Sequence, residues 1–249
     1  MLYHFVNRLK QEGLLEEKCC YCGRLDPMAK GKMLFLENKE RKQMEKYLQC
    51  DKEYEFEIGI GISTDTDDIL GMIKEINLDT INLFDYSNVL QTYINIIASK
   101  QEQSYHKFSA FQIKKNGTRV NLCELSKNNT LDPHDIPSKP CSVHYIQKLN
   151  KKTIDINYFV SIIINKLKSF YDPKNYYRTK EIIEGWERFK QSFSDNNTST
   201  FITYKYKMKV SSGFYIRQFI ADLKKMCNFP LIVLNINRTN IFINDEIVI

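Results

Sequence analysis

The chain has 249 residues, with 36 Lys and Arg against 30 Asp and Glu, and the net charge of +6 suits a polyanionic partner such as RNA. That length can bury a sizeable core in one large domain. No apolar run approaches the roughly 20 residues needed to cross a bilayer, and Met1 opens a mixed charged and apolar stretch rather than a secretory signal. With seven cysteines, an odd number, these features predict a cytoplasmic protein with reduced thiols and no membrane contact.

Leu2, Phe5, Val6 and Leu9 recur at helical spacing and predict an opening helix that ends near Gly13. Cys19 and Cys22 have the spacing of a zinc knuckle. A structural zinc site wants four ligands, and Cys50, Cys123, Cys141 and Cys227 supply no second pair, so Cys19, Cys20 and Cys22 read as small buried side chains and no metal is expected. Gly23 to Gly31 (GRLDPMAKG) then presents a carboxylate, Asp26, in a stiff turn. Pro27 fixes its own φ and biases Asp26 towards an extended backbone, while the two glycines allow tight turns on either side. A carboxylate held this way suits covalent or acid–base chemistry; alone, the LDP tripeptide reads equally as a turn joining two elements.

Met33-Leu34-Phe35-Leu36 predicts a strand, and Asn38 to Leu48 a charged helix with Met44, Tyr47 and Leu48 on one side. Glu53 to Ile62 alternates apolar residues with Glu and Gly, the mark of a half-buried strand. Tyr54 starts it on the apolar face, a place for core packing or for a site. A helix is predicted over Asn88 to Ala98, and residues 101–135 read as a long polar loop or hairpin in which Lys114, Lys115 and Arg119 are solvated. His106, His134 and His144 share no ligand spacing and read as ordinary surface or turn residues.

Phe159, Ile163, Leu167 and Phe170, then Ile182, Trp186, Phe189 and Phe193, predict two amphipathic helices separated by Asp172-Pro173 and closed by the polar SDNNTST. Tyr204 to Val210 predicts a strand with one basic face, Lys205, Lys207 and Lys209. Ser211-Ser212-Gly213 bends the chain into a helix over Ile216 to Met226. Arg217 stands at that helix's start, against the dipole preference, which points to a specific partner.

Five segments in order resemble the TruB family of tRNA pseudouridine synthases. GRLDPMAKGKMLFL is similar to the catalytic-Asp motif G-x-LDP-x-A-x-G-x-L, and DKEYEFEIGIGISTDTDDILG to the DKxY strand followed by a T-D-T-x-D turn. FSAFQIKKNGTRVNLCEL, IPSKPCSVHYIQKL and YKMKVSSGFYIRQFIADL resemble the next three family blocks. The resemblance implies a mixed α/β pseudouridine synthase fold, a central mostly antiparallel sheet flanked by helices, and conversion of a uridine to pseudouridine with no cofactor. It implies Asp26 as the catalytic aspartate, Tyr54 as the tyrosine that stacks on the base, and Arg217 as the ion-pair partner of Asp26. By the same resemblance Asp68, Tyr215 and Ile236 contact the site, and Lys114 and Arg119 the RNA. Gly23 and Gly31 are expected to let the backbone approach RNA closely.

The implied substrate is the T-arm stem-loop of tRNA, modified at the T-loop uridine (tRNA position 55) by a monomer. Asn237 and Arg238 fall where relatives carry a basic pair. Tyr21 replaces a family histidine that helps evict the base, and the N-terminal K-P-x-G-x-x-S segment has no counterpart. The expected organisation is one catalytic domain over 1–249 with a helical insertion at about 151–200, more similar to eukaryotic members, and no C-terminal PUA-type domain. Frequent Lys, Asn and Ile point to an AT-rich genome such as that of a protist or a large DNA virus. The departures at Tyr21 and the N-terminus leave a catalytically weak RNA-binding protein or tRNA chaperone as the alternative. A guide-RNA ribonucleoprotein subunit is the remaining rival.

Overall fold

A computed structural model describes residues 2–78, 86–115, 117–192 and 200–247. Its first third runs α1 (Leu2–Gln11), β1 (Cys19–Cys22), β2 (Lys30–Gly31), β3 (Leu34–Glu37), a 3-10 segment (Asn38–Gln43), α2 (Met44–Leu48) and β4 (Asp51–Ile60). Next come β5 (Ile62–Thr64), β6 (Ile73–Ile76), α3 (Tyr86–Ala98), β7 (Glu102–Ser104), β8 (Gln112–Lys115), β9 (Thr118–Asn121), α4 (Leu122–Lys127) and β10 (Ser138–Pro140). The last part holds β11 (Val143–Asp155), α5 (Ile156–Lys168), α6 (Thr179–Gln191), β12 (Thr200–Val210), α7 (Ile216–Cys227), β13 (Leu231–Ile243) and β14 (Glu246–Ile247).

The central sheet has the order β11-β12-β4-β13-β14, with β2 also paired to β13. All its pairings are antiparallel except β2 on β13, so the expected mixed α/β class with a mostly antiparallel sheet is what the chain adopts. Alternation along β4 gives the sheet two unlike faces. One face carries Phe56, Ile58 and Ile60 beside Tyr204, Tyr206 and Met208. It is buried with the apolar sides of α7 (Ile216, Phe219, Ile220, Leu223) and α3 (Leu90, Ile94, Ile97) in one core. Phe56 stacks on Tyr206 with centroids 5.8 Å apart and meets the edge of Phe219 at 6.3 Å.

At one end of the opposite face lies Phe201, which α5 covers through Phe159, stacked at 3.9 Å. A Cβ on Gly59 would come within 2.4 Å of the Phe201 ring, so a side chain there would displace Phe159 and the Trp186 edge behind it. Asp155 caps α5 by accepting from the Tyr158 amide at 2.8 Å. Asp172 accepts from the Tyr176 and Tyr177 amides at 2.7 and 2.9 Å, shaping the link to α6. Phe193 and residues 194–199 of the SDNNTST segment lie outside the described residues.

Several expected boundaries move. The strand predicted over Glu53 to Ile62 breaks at Gly61, whose φ of +96° ends β4 and starts β5. The charged helix over Asn38 to Leu48 is α-helical only in its last five residues. The polar 101–135 region holds the β8–β9 hairpin and also a helix, α4, started by Asn121, which accepts from the Glu124 amide at 2.7 Å. Cys22 is buried, but Cys19 and Cys20 are part-exposed, because β1 pairs only with β3 at the margin of the fold. No helix among the described residues is long and apolar enough to cross a membrane.

Candidate active site

The turn that carries Asp26 is tied to the sheet at both ends. Gly31 has φ +118°, and a Cβ there would lie 2.2 Å from the Arg238 carbonyl oxygen. Only glycine lets β2 come this close to β13. The fully buried Arg238 side chain donates from Nε to the Lys32 carbonyl at 2.7 Å and from Nη2 to the Gly23 carbonyl at 3.1 Å. The close approach seen at Gly31 is to the chain's own sheet. Within the turn, the Ala29 amide donates to the Asp26 carbonyl at 2.9 Å.

From α7 the Arg217 guanidinium meets this turn. Nε donates to Asp26 Oδ2 and Nη2 to Asp26 Oδ1, both at 2.9 Å, a two-pronged pair. The Arg217 side chain is 5% exposed and that of Asp26 22%, so Asp26 is the less buried member of the pair. Burial pushes the Asp26 carboxyl up, but the Arg217 charge and hydrogen bonds outweigh it and hold the group below the ordinary carboxylate value. Asp68 stands 3.5 Å from Arg217 Nε and accepts from Thr66 Oγ1 at 2.7 Å and from the Leu70 amide at 2.9 Å. Burial dominates there, against the pull of Arg217, and raises its pKa to about 6.

A second buried group stands behind the first. His106, read from sequence as a surface or turn residue, is 1% exposed. Its Nε2 lies 3.1 Å from Asp67 Oδ2, and its Nδ1 lies 3.1 Å from the Phe108 amide and 3.4 Å from Arg217 Nη1. Burial and the Arg217 charge push its pKa down to about 4 despite Asp67, so it is neutral at pH 7. Burial would raise the Asp67 carboxyl, but His106 and the Lys224 ammonium hold it low. Asp67 itself has φ +61°, and its carbonyl accepts from the Val233 amide at 2.9 Å. Successive aspartates in one turn thus point to different partners. The doubled Asp67-Asp68 was the available signal, since two adjacent buried carboxylates require two separate sources of positive charge or donors.

Tyr54, half-buried, faces Arg238 across β4 and β13. Its hydroxyl pKa is raised by burial, with the Arg238 guanidinium opposing and Asp26 adding to the shift. Ile236 is 7% exposed and opposite Phe56, two residues along the same face. Tyr215 precedes α7 and is clamped by Gln103, whose side chain accepts from its amide at 2.9 Å and donates to its carbonyl at 3.1 Å. The Lys139 ammonium lies 4.0 Å from the Tyr215 ring and 4.6 Å from Tyr105, and burial lowers its pKa to about 8.

Tyr21, on β1, is edge-on to Phe35 and accepts from Arg24 Nη2 at 3.0 Å, near the turn but outside the buried cluster. Lys114 and Arg119 are exposed cross-strand neighbours on the β8–β9 hairpin, in a sheet separate from the one that carries Tyr54. Among the described residues no group of three or more His, Cys, Asp or Glu is placed to hold a metal ion. A part-exposed carboxylate kept ionised by a buried arginine, beside an apolar face with a tyrosine, can act as a nucleophile or base on a substrate brought against that face.

Comparison with known proteins gives this arrangement a context. The model of the family described as "TruB family pseudouridylate synthase (N terminal domain)" matches residues 11–166. The tRNA pseudouridine synthase B of Acholeplasma laidlawii (strain PG-8A) is 32% identical over 146 residues, 58% of this chain and 49% of that protein. The match therefore spans about half the length of that relative. Among solved structures, "Crystal Structure of a Cbf5-Nop10-Gar1 Complex" aligns at 12% identity over 96% of this chain and 44% of the other, with a TM-score of 0.47. "Structure of H/ACA RNP bound to a substrate RNA containing 2'-deoxyuridine" aligns at 12% identity over 96% and 43%, with a TM-score of 0.43. With more than half of its residues matched by the family's model, the chain belongs to the TruB family of pseudouridine synthases.

Proposed function

We propose that this chain isomerises uridine to pseudouridine in RNA, with the T-arm stem-loop of tRNA as substrate. The observation that carries the proposal is Asp26, a part-exposed aspartate on a stiff turn with both carboxylate oxygens held by the buried Arg217. The reaction breaks the N1–C1′ bond and joins C1′ to C5. No atom is gained or lost, since C5 releases one proton and N1 takes one up. Asp26 attacks C1′ or removes a ribose proton as the base departs. Arg217 keeps it ionised at neutral pH.

The target uridine leaves its stack to reach the turn. There Tyr54 lies against the uracil and relays the C5 proton, and Ile236 and Tyr215 bound the pocket. Asp68 shares the guanidinium from the inner side. Tyr21, at the margin, fills the gap left in the RNA loop by stacking on neighbouring bases. Lys114 and Arg119 take phosphates from the exposed hairpin. Free thiols at all seven cysteines suit a reducing, cytoplasmic setting. In this proposal the enzyme is a monomer with one catalytic domain, α5 and α6 being an insertion in it. Incubating the protein with a T-arm stem-loop and mapping pseudouridines tests the reading. Modification of the T-loop uridine without a second RNA is expected; modification only after a guide RNA is added, or none in any RNA, contradicts it.

A further inference from the structure

His106 has a single chemically consistent tautomer. Its Nδ1 faces two donors, the Phe108 backbone N–H at 3.1 Å and Arg217 Nη1 at 3.4 Å. Neither can accept, so Nδ1 must present its lone pair. The proton then resides on Nε2, which donates to Asp67 Oδ2 at 3.1 Å. Asp67 is held in turn by the Lys224 ammonium on its other oxygen and by the Val233 amide on its carbonyl. The imidazole is therefore locked in orientation by a strand and a helix of the core.

Besides Asp68 Oδ2, 3.5 Å from Nε, and the Phe108 carbonyl, 3.5 Å from Nη2, Arg217 meets two groups at closer range. Its Nε–Nη2 edge meets Asp26, and Nη1 turns away from that carboxylate towards His106. The His106 contact does not compete with the Asp26 pair, because it uses Nη1, which the pair leaves aside. We infer that His106 is a positioning residue for the reaction: its unprotonated Nδ1 sets the rotation of the Arg217 guanidinium, and so the direction in which Asp26 presents its oxygens. The inference rests on the pseudouridine synthase reading for its consequence in turnover, but its geometric content can be tested without turnover. Nothing in the TDTDD and YHKF segments marks the two residues as partners: 39 residues separate them, and the fold alone brings them together.

The test combines spectroscopy with kinetics. Long-range proton–nitrogen spectra of the nitrogen-labelled protein should show His106 as the Nε2–H tautomer, unchanged between pH 5.5 and 8. The Nδ1–H tautomer, or titration inside that range, overturns the inference. The Arg217 Nε–H signal should be resolved and slow to exchange in the wild type and in His106→Gln, which keeps one acceptor and one donor. It should shift or vanish in His106→Phe. An unchanged signal in a folded His106→Phe protein means that the residue only fills space.

In turnover, His106→Phe should lose about 100-fold in kcat, the scale of a small misplacement of a reacting group, with KM within about twofold. His106→Gln should recover most of that loss. A folded His106→Phe enzyme with wild-type kcat overturns the inference. If His106→Phe does not fold, the tautomer and the His106→Gln signal still decide. Absence of pseudouridine formation by the wild type would remove the reaction reading, while the two spectroscopic results would still say whether His106 sets Arg217.

Discussion

The two faces of the central sheet treat charge in opposite ways. On the helix-covered face, Asp26, Asp67, Asp68, His106, Arg217 and Arg238 sit in or against the core, and each has specific partners at fixed geometry. On the other face, away from the cover of α5, Lys205 and Lys207 pair with Glu55 and Glu53 at 2.6 and 3.1 Å, and Lys209 pairs with Asp245. The strand predicted to present a basic face thus presents a neutralised ladder, because β12 lies beside the Glu-bearing β4. Lys205, Lys207 and Asp245 in this ladder are substantially solvated, so exchanging one of them costs little; Glu53 is the exception, buried and accepting from Tyr145, Thr239 and Asn240. The buried groups are different: a lost partner of Asp67, Asp68, Arg217 or Arg238 leaves a charge that water reaches poorly.

The largest effect should come from Arg217→Ala. Removing one member of a buried pair typically costs about 3–5 kcal/mol, and here both Asp26 and Asp68 lose their cation. Denaturant unfolding should show that loss together with abolished turnover. A variant that unfolds like the wild type would place Arg217 on the tolerant side of the comparison.

A somewhat smaller effect is set by pH. His106, with its pKa lowered to about 4, binds its proton in the unfolded chain first, so stability falls as pH drops from about 6.5 towards 4. Asp68, raised to about 6, binds its proton in the folded chain first, so stability falls as pH rises from about 4 to 6. The two slopes oppose one another over the same window, each worth about 3 kcal/mol. Asp68→Asn should unmask the acid-side loss, and His106→Gln should unmask a decline as pH rises. Thermal unfolding from pH 4.5 to 7 reads both, and parallel profiles for the two variants would refute the assignment.

Gly31→Ala comes next, at about 1–3 kcal/mol, since a Cβ would strike the β13 backbone at a positive φ. It should also loosen the Asp26 turn, seen as faster amide exchange at Lys32, whose N–H donates to the Arg238 carbonyl at 2.9 Å. Smallest of all, Lys205→Gln on the ladder should change unfolding free energy by no more than about 1 kcal/mol. A larger loss there would erase the distinction between the faces.

Much of the fold on both sides of the sheet was legible in the sequence. Period-two alternation located β4 and β12, four-and-three spacing located α5 and α6, and Asp26-Pro27 between two glycines marked the turn. Arg217, placed against its helix dipole, announced a partner without naming it. What stayed hidden depends on contacts distant in sequence. His106 gave no signal, because a lone histidine in a polar stretch reads as solvated until a fold buries it beside Asp67. At Gly31 the need for close approach was visible, but not that the Arg238 backbone makes one such approach. The basic face of β12 also looked free until its neighbour in the sheet was known.

The central claim is that the ionised Asp26 carboxylate performs the chemistry, and its most direct test is Asp26→Asn in a single-turnover tritium-release assay on RNA carrying 5-tritiated uridine. The substitution keeps the shape of the side chain and can still accept from Arg217, so the account predicts RNA affinity within a few fold of wild type and no release above background. Tritium release by Asp26→Asn at a rate near that of the wild type would contradict it.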